Sequence, residues 1–185
     1  MKKLLILVLF IIISYPSYSK YYAGFGANYN LIQKPNDLIN DDFASFNIHL
    51  ENRSKCKLWY GLALNYSNLN RIDKAPPESP FFNYIAQIEP SIRYNFISNN
   101  TITYSLVPYV KTSLLIGLID AEDELSDKSL GGTLSVGLSY GFVAFDECFM
   151  IDLNCGYAGF NTLHRSDNRI FIESLNFGLN LSMKL

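Results

Sequence analysis

The sequence predicts an all-β protein, an eight-stranded antiparallel up-and-down transmembrane β-barrel. Three observations carry this reading. Apolar and polar residues alternate at period two in eight segments, as strands with two unlike faces require. The chain is 49% hydrophobic and 15% aromatic with only 17% charged residues, yet no apolar run is long enough to cross a bilayer as a helix. The polar connections between segments alternate between long and short.

The chain opens with Met1, Lys2 and Lys3, then the apolar run from Leu4 to Ile13, then SYPSYS. This is the pattern of a secretory signal peptide over residues 1–19, with Ser17 and Ser19 as the small residues before a cleavage after Ser19. Residues 20–185 then form one barrel domain. No cysteine follows the apolar run, which argues against a lipid-anchored N-terminus.

In the first segment Tyr21, Ala23, Phe25, Ala27, Tyr29 and Leu31 take one face and Gly24, Gly26, Asn28 and Asn30 the other. The second opposes Phe46, Ile48 and Leu50 to Asn47, His49 and Glu51, and the third opposes Tyr60, Leu62, Leu64 and Tyr66 to Gly61, Ala63, Asn65 and Ser67. The fourth, from Phe82 to Phe96, sets Tyr84, Ile88, Ile92 and Tyr94 against Gln87, Glu89, Ser91, Arg93 and Asn95. The fifth, from Ile102 to Leu118, sets Leu106, Val110, Leu114 and Ile116 against Ser105, Tyr109, Lys111 and Ser113. The sixth is the most regular, with Leu134, Val136, Leu138, Tyr140 and Phe142 against Thr133, Ser135, Gly137, Ser139 and Gly141. The seventh opposes Phe149, Ile151, Leu153 and Tyr157 to Asp152, Asn154 and Gly156, and the last aligns Leu175, Phe177, Leu179, Leu181, Met183 and Leu185.

Long connections fall near Lys34–Asp42, Asn68–Pro80, DAEDELSDKS and NTLHRSDN, and short ones at NRSKC, ISNN and DEC. Long extracellular loops, short periplasmic turns and an even strand number belong together in outer-membrane barrels. Closure also satisfies every backbone donor without an open edge. A soluble lipocalin-like barrel would reverse the faces, leaving Gly and Ser as a poor solvated exterior. Outward aromatics gather near segment ends, including Tyr21, Tyr94, Phe96, Tyr104 and Phe149 at one and Tyr29, Phe46, Tyr66, Phe82, Tyr84, Tyr157 and Phe171 at the other, as interface girdles do.

Without Lys2 and Lys3 the chain carries 13 basic and 17 acidic residues, which argues against a nucleic-acid partner. Cys56, Cys148 and Cys155 make no disulfide framework; a Cys56–Cys148 bridge in an oxidising periplasm is left open, although their turns fall on opposite sides of the barrel, and Cys155 reads as a small apolar residue. There is no phosphate loop, dinucleotide fingerprint or zinc spacing, so no cofactor and no metal is expected. The acidic stretch from Asp120 to Asp127 lacks the glycine and terminal ligand of a calcium loop and reads as a solvated loop.

The opening YYAGFGANYN and the terminal SLNFGLNLSMKL resemble the small eight-stranded outer-membrane barrels grouped with opacity proteins and the outer-membrane protein A transmembrane domain. The C-terminal strand is similar to that family's signal for the barrel-assembly machinery, with Leu185 where the family usually has phenylalanine. The resemblance implies an outer-membrane location. Its partners would be outer-membrane lipid, lipopolysaccharide and a host or surface ligand at the loops.

By parity Glu51, Glu89, Arg93, Lys111, Asp152 and Lys184 all point into the lumen, where charges must pair or be hydrated. A plugging ion-pair network is the expectation, and a narrow channel for small solutes the alternative. Glu173 breaks the alternation, because its parity places a carboxylate on the lipid face near the outer rim. With His164 and Ser166 it is a candidate base, nucleophile and orienting acid. The segment LHRSDNRIFIES is similar to that of lipid A 3-O-deacylases, with Asp167 where that family has asparagine, and the resemblance implies an acyl-ester hydrolase. The leading expectation is a non-enzymatic barrel serving envelope integrity or surface interaction through its four long loops.

Overall fold

The computed structural model describes residues 20–33, 42–53, 57–68, 82–97, 104–121, 127–163 and 171–185. Residues 1–19, the expected signal peptide, lie outside the described residues. Eight strands follow one another: β1 (Lys20–Ile32), β2 (Phe43–Arg53), β3 (Leu58–Asn68), β4 (Phe82–Asn95), β5 (Leu106–Ala121), β6 (Asp127–Ala144), β7 (Glu147–Leu163) and β8 (Phe171–Lys184). Each pairs antiparallel with the next, and β8 returns to pair with β1, so the sheet closes.

The register fixes the shape. Phe25 of β1 leads across the ladder through Ile48, Leu64, Ile88, Ile116, Leu130 and Asn161 to Phe171 of β8. Phe25 itself pairs with Leu181, ten residues further along β8. That stagger tilts the strands to about 35–45° from the axis and leaves an interior only wide enough for side chains.

Alternation then sorts the residues. Phe25 and Ile48 are 65% and 69% exposed, and Leu134, Val136 and Leu179 stand out on the same exterior. An apolar surface continuous around the molecule belongs in hydrocarbon, which excludes the soluble, face-reversed barrel. Stacked or edge-on aromatic pairs mark both ends of this surface: Tyr66–Tyr84 near the loop end, and Tyr94–Phe96, Tyr140–Phe142 and Phe142–Phe149 near the end that carries the termini and short turns.

The strands depart from the sequence expectation on one wall. β5 starts at Leu106 rather than Ile102 and runs on to Ala121, while β6 begins at Asp127, so Ile119 pairs with Asp127 inside the expected acidic loop. The connection there shrinks to 122–126, and the one between β4 and β5 lengthens to 96–105. Ladder pairing next to the apolar run Leu114–Ile119 outweighs the turn signal of the acidic residues.

Candidate functional site

Three tiers of inward side chains fill the lumen. At the turn end, residues two apart on one strand share the inner face and bond each other. Arg53 donates to Glu51 Oε2 through Nε at 3.1 Å and Nη2 at 2.9 Å, and Arg93 Nε donates to Asn95 Oδ1 at 2.9 Å. The guanidinium of Arg93 reaches across to Asp152 Oδ1 at 2.9 Å, with Ser139 Oγ in close contact with both. Arg53 also donates to Ser182 Oγ and Met150 Sδ, each at 3.1 Å.

Aromatic rings interleave with these two cations. Arg53 lies 3.8 Å from the Tyr22 ring centre and 4.9 Å from that of Trp59; Arg93 lies 4.5 Å from Trp59 and 3.6 Å from Tyr109. The order Tyr22, Arg53, Trp59, Arg93, Tyr109 therefore stacks across the barrel. All five side chains are buried. Desolvated cation–π contacts of this kind contribute about 2 kcal/mol each.

The middle tier is polar. Lys111 Nζ meets Glu89 Oε1 at 3.1 Å, and Glu89 accepts from Asn65 at 2.6 Å and Ser113 at 2.7 Å. His49 Nδ1 lies 3.0 Å from Asn47 Oδ1, and Asn47 in turn donates to Asn180 at 3.1 Å. A cavity of about 70 Å³ remains among these groups, enough for about five waters at roughly 10–15 Å³ each. The paired cations Arg53, Arg93 and Lys111 match the anions Glu51, Glu89 and Asp152. A balanced interior meets the condition for burying charge.

Toward the loop end the inner face turns apolar. Phe43, Ile85, Leu115, Ala158, Phe160 and Ile172 pack together inside the barrel with Ile32 against them. This tier forms a small apolar cluster above the charges, with buried Asn30, Ser45 and Ser174 beside it.

Of the sequence candidates, Glu51, Glu89, Arg93, Lys111 and Asp152 meet in the lumen, while Lys184 is partly exposed at the turn-end mouth and forms no ion pair with a described residue. Arg53 and Trp59 are central to the stack and absent from the sequence candidates. Extending the alternation of Asn47, His49 and Glu51 by one step reaches Arg53, and running Ala63 and Gly61 back reaches Trp59.

His164 and Ser166 lie outside the described residues. Glu173 is half-buried on the outer face opposite Gly159, and the Tyr157 hydroxyl is hydrogen-bonded to it. Cys56 also lies outside the described residues; Cys148 and Cys155 carry free thiols. No cluster of three metal-binding side chains occurs among the described residues.

The closed eight-strand sheet has known counterparts. The chain superposes on the crystal structure of Neisserial surface protein A with a TM-score of 0.60 at 16% identity, covering 89% of this chain and 97% of that one. It has the fold of the small outer-membrane β-barrels. The N-terminal β-barrel domain of Pseudomonas aeruginosa OprF gives a TM-score of 0.52 at 16% identity, covering 91% and 98% of the two chains. No family model and no curated protein sequence matches the chain. At 16% identity the likeness to both barrels is one of fold.

Proposed function

We propose that the chain is a non-conducting outer-membrane barrel whose lumen serves structure and whose four extracellular loops serve envelope integrity or surface interaction. Two closures in series support this: the Arg53–Trp59–Arg93 stack at the turn end and the Phe43–Ile85–Phe160 cluster toward the loops. A hydrated ion entering from either end meets one of them. Lipid and lipopolysaccharide are the partners of the outer wall, and the C-terminal strand the segment offered to the assembly machinery.

The experiment is planar-bilayer recording on the purified, refolded protein. The expected result is no steady unit conductance; a stable conductance overturns the reading in favour of a narrow channel. Fractionation of the cells with an unboiled gel shift tests the membrane location.

An acyl-ester hydrolase is a second reading, favoured by the outward Glu173 at the lipid-facing rim. Its bond from Tyr157 also suits a purely structural acid that anchors the rim. Mass spectrometry of lipid A from cells expressing the chain or its Ser166→Ala variant separates them, and identical acylation with and without expression eliminates the enzyme.

A further inference from the structure

Between the charged middle tier and the apolar cluster above it, the wall of the lumen offers more acceptors than donors. A chamber of about 50 Å³ lies there, bordered by Glu89 on one side and by Phe43, Ile85 and Phe160 on the other. Three oxygens of residues in its wall, Asn65 Oδ1, Asn176 Oδ1 and Ser174 Oγ, are buried without a hydrogen-bond partner, and Ser174 is only 1% exposed. Buried polar atoms are nearly always paired, so three unpaired ones around a single chamber point to a ligand that meets them.

The neighbouring carboxamides show why the imbalance persists. Asn65 is oriented by its own amide nitrogen, which donates to Glu89 Oε2 at 2.6 Å and leaves Oδ1 unmatched. Asn30 donates to Phe43 O and Ser45 Oγ at 3.2 Å each, and Gln87 donates to Ser129 Oγ at 3.5 Å. These donors are committed to the wall. Water does not correct an excess of acceptors, because each molecule brings as many lone pairs as protons. A cation brings no lone pair at all.

The charge around the chamber limits which cation fits. Glu89 is the one carboxylate among the described residues that line it, and Lys111 already meets its Oε1 at 3.1 Å. Calcium gathers more oxygens than this, several of them from carboxylates, and magnesium keeps much of its water. No three His, Cys, Asp or Glu side chains come together among the described residues. Neutral amide and hydroxyl oxygens backed by one shared carboxylate suit a monovalent ion. We infer that the chamber binds one dehydrated alkali-metal ion through Asn65 Oδ1, Asn176 Oδ1, Ser174 Oγ and Glu89 Oε2. Lys111 and Arg93 repel a cation on the turn side and the apolar cluster covers it on the loop side, so the ion is enclosed as the barrel closes around it.

The enclosure rests on the two closures of the proposed non-conducting barrel, whereas the binding does not, and the test separates them. The chain is refolded in detergent micelles with radioactive sodium or rubidium chloride and passed by gel filtration into N-methylglucamine chloride. An unboiled gel shows which samples are folded. About one ion of sodium or rubidium is expected to stay with each folded barrel and to leave on boiling. Ser174→Ala and Asn176→Leu each remove one oxygen, and each is expected to lower retention by about tenfold or more with the gel shift intact. The small serine change keeps the test open if the leucine variant fails to fold. A folded native barrel that retains neither ion, and unfolds at the same temperature in alkali chloride as in N-methylglucamine chloride, overturns the inference and leaves the chamber to water. Retention unchanged in both variants overturns it as well, because the ion then lies elsewhere. Absent retention with a higher unfolding temperature in alkali chloride, seen in the native chain and lost in the variants, upholds the site and shows that the closures leak.

Discussion

The two ends of the lumen are closed by opposite chemistries. At the turn end, buried charges alternate with aromatic rings, and nearly every polar group depends on a named partner: Arg93 on Asp152, Asn95 and Ser139, and Arg53 on Glu51 and Ser182. Toward the loops the same inner face carries Phe43, Ile85, Leu115, Phe160 and Ile172, which need only shape. A buried ion network fails as a unit, because removing one member leaves the others desolvated and unpaired. An apolar cluster fails by degrees, because its neighbours partly fill a gap. The contrast predicts that the ends respond differently to equally small changes.

The largest effect is expected from Arg93→Ala. It leaves buried Asp152 with only the more distant Arg53, 3.8 Å from Oδ2, and removes one side of the Trp59 sandwich; breaking a buried pair costs about 3–5 kcal/mol, and the remaining cation holds the loss to about 3. Urea unfolding in lipid vesicles measures it. Arg93→Lys is expected to recover less than half, since an ammonium cannot reproduce both the fork to Asp152 and Asn95 and the flat stacking surface. Full recovery by lysine would mean that charge alone matters there.

Phe160→Ala comes next, at about 3 kcal/mol, near the lower end of the range for buried phenylalanine because the lumen beside it already holds free volume. Its diagnostic value lies in combination. Neither Arg93→Ala nor Phe160→Ala alone is expected to conduct in planar bilayers, since the opposite closure persists, whereas the double variant is expected to leak small ions. A leak through either single variant would show that only one closure holds.

The turn end was more legible in the sequence than the loop end, for a physical reason. Lumen charges stand out against an apolar, Gly- and Ser-rich background, so parity alone places Glu51, Glu89, Arg93, Lys111 and Asp152 inside. Phe43, Ile85, Leu115 and Phe160 fall on the same inner parity but carry no such mark, because an apolar residue fits hydrocarbon as well as a core, and only their burial shows that the inner face turns apolar there. Strand boundaries near the acidic stretch were hidden for a related reason. Asp120 and Asp127 look like loop residues until Asp120 is seen paired with Tyr84 of β4 and Asp127 with Ile119 of β5. The outer rim was half legible: Glu173 stands out as the acid on the wrong face, but the Tyr157 that bonds it reads only as one more girdle aromatic.

Glu89→Gln probes the boundary between the two chemistries. The amide keeps one acceptor for Asn65 or Ser113 but leaves Lys111 without its anion beside the cavity, where water can reach it. The expected loss is about 1–3 kcal/mol, smaller than for Arg93→Ala because of that hydration. The double change Glu89→Gln with Lys111→Met is expected to restore most of it. If the double variant is worse than the single, the pair is bound into the turn-end network and the middle tier is not a separate unit.

The smallest effect is expected at the loop-end rim. Asp42 accepts from the Ile32 amide at 3.1 Å through Oδ1 and from the Tyr29 hydroxyl at 3.2 Å through Oδ2, closing the top of the β1–β2 pair. The carboxylate is exposed, so water replaces it readily, and Asp42→Ala should lower stability by no more than about 1 kcal/mol. The local consequence is sharper than the global one: faster amide exchange at Ile32 with unchanged exchange at Phe25 in the middle of the strand. Were exchange to quicken along all of β1, the rim contact would be holding the ladder, and the apolar cluster beneath it would not be the independent closure that its packing implies.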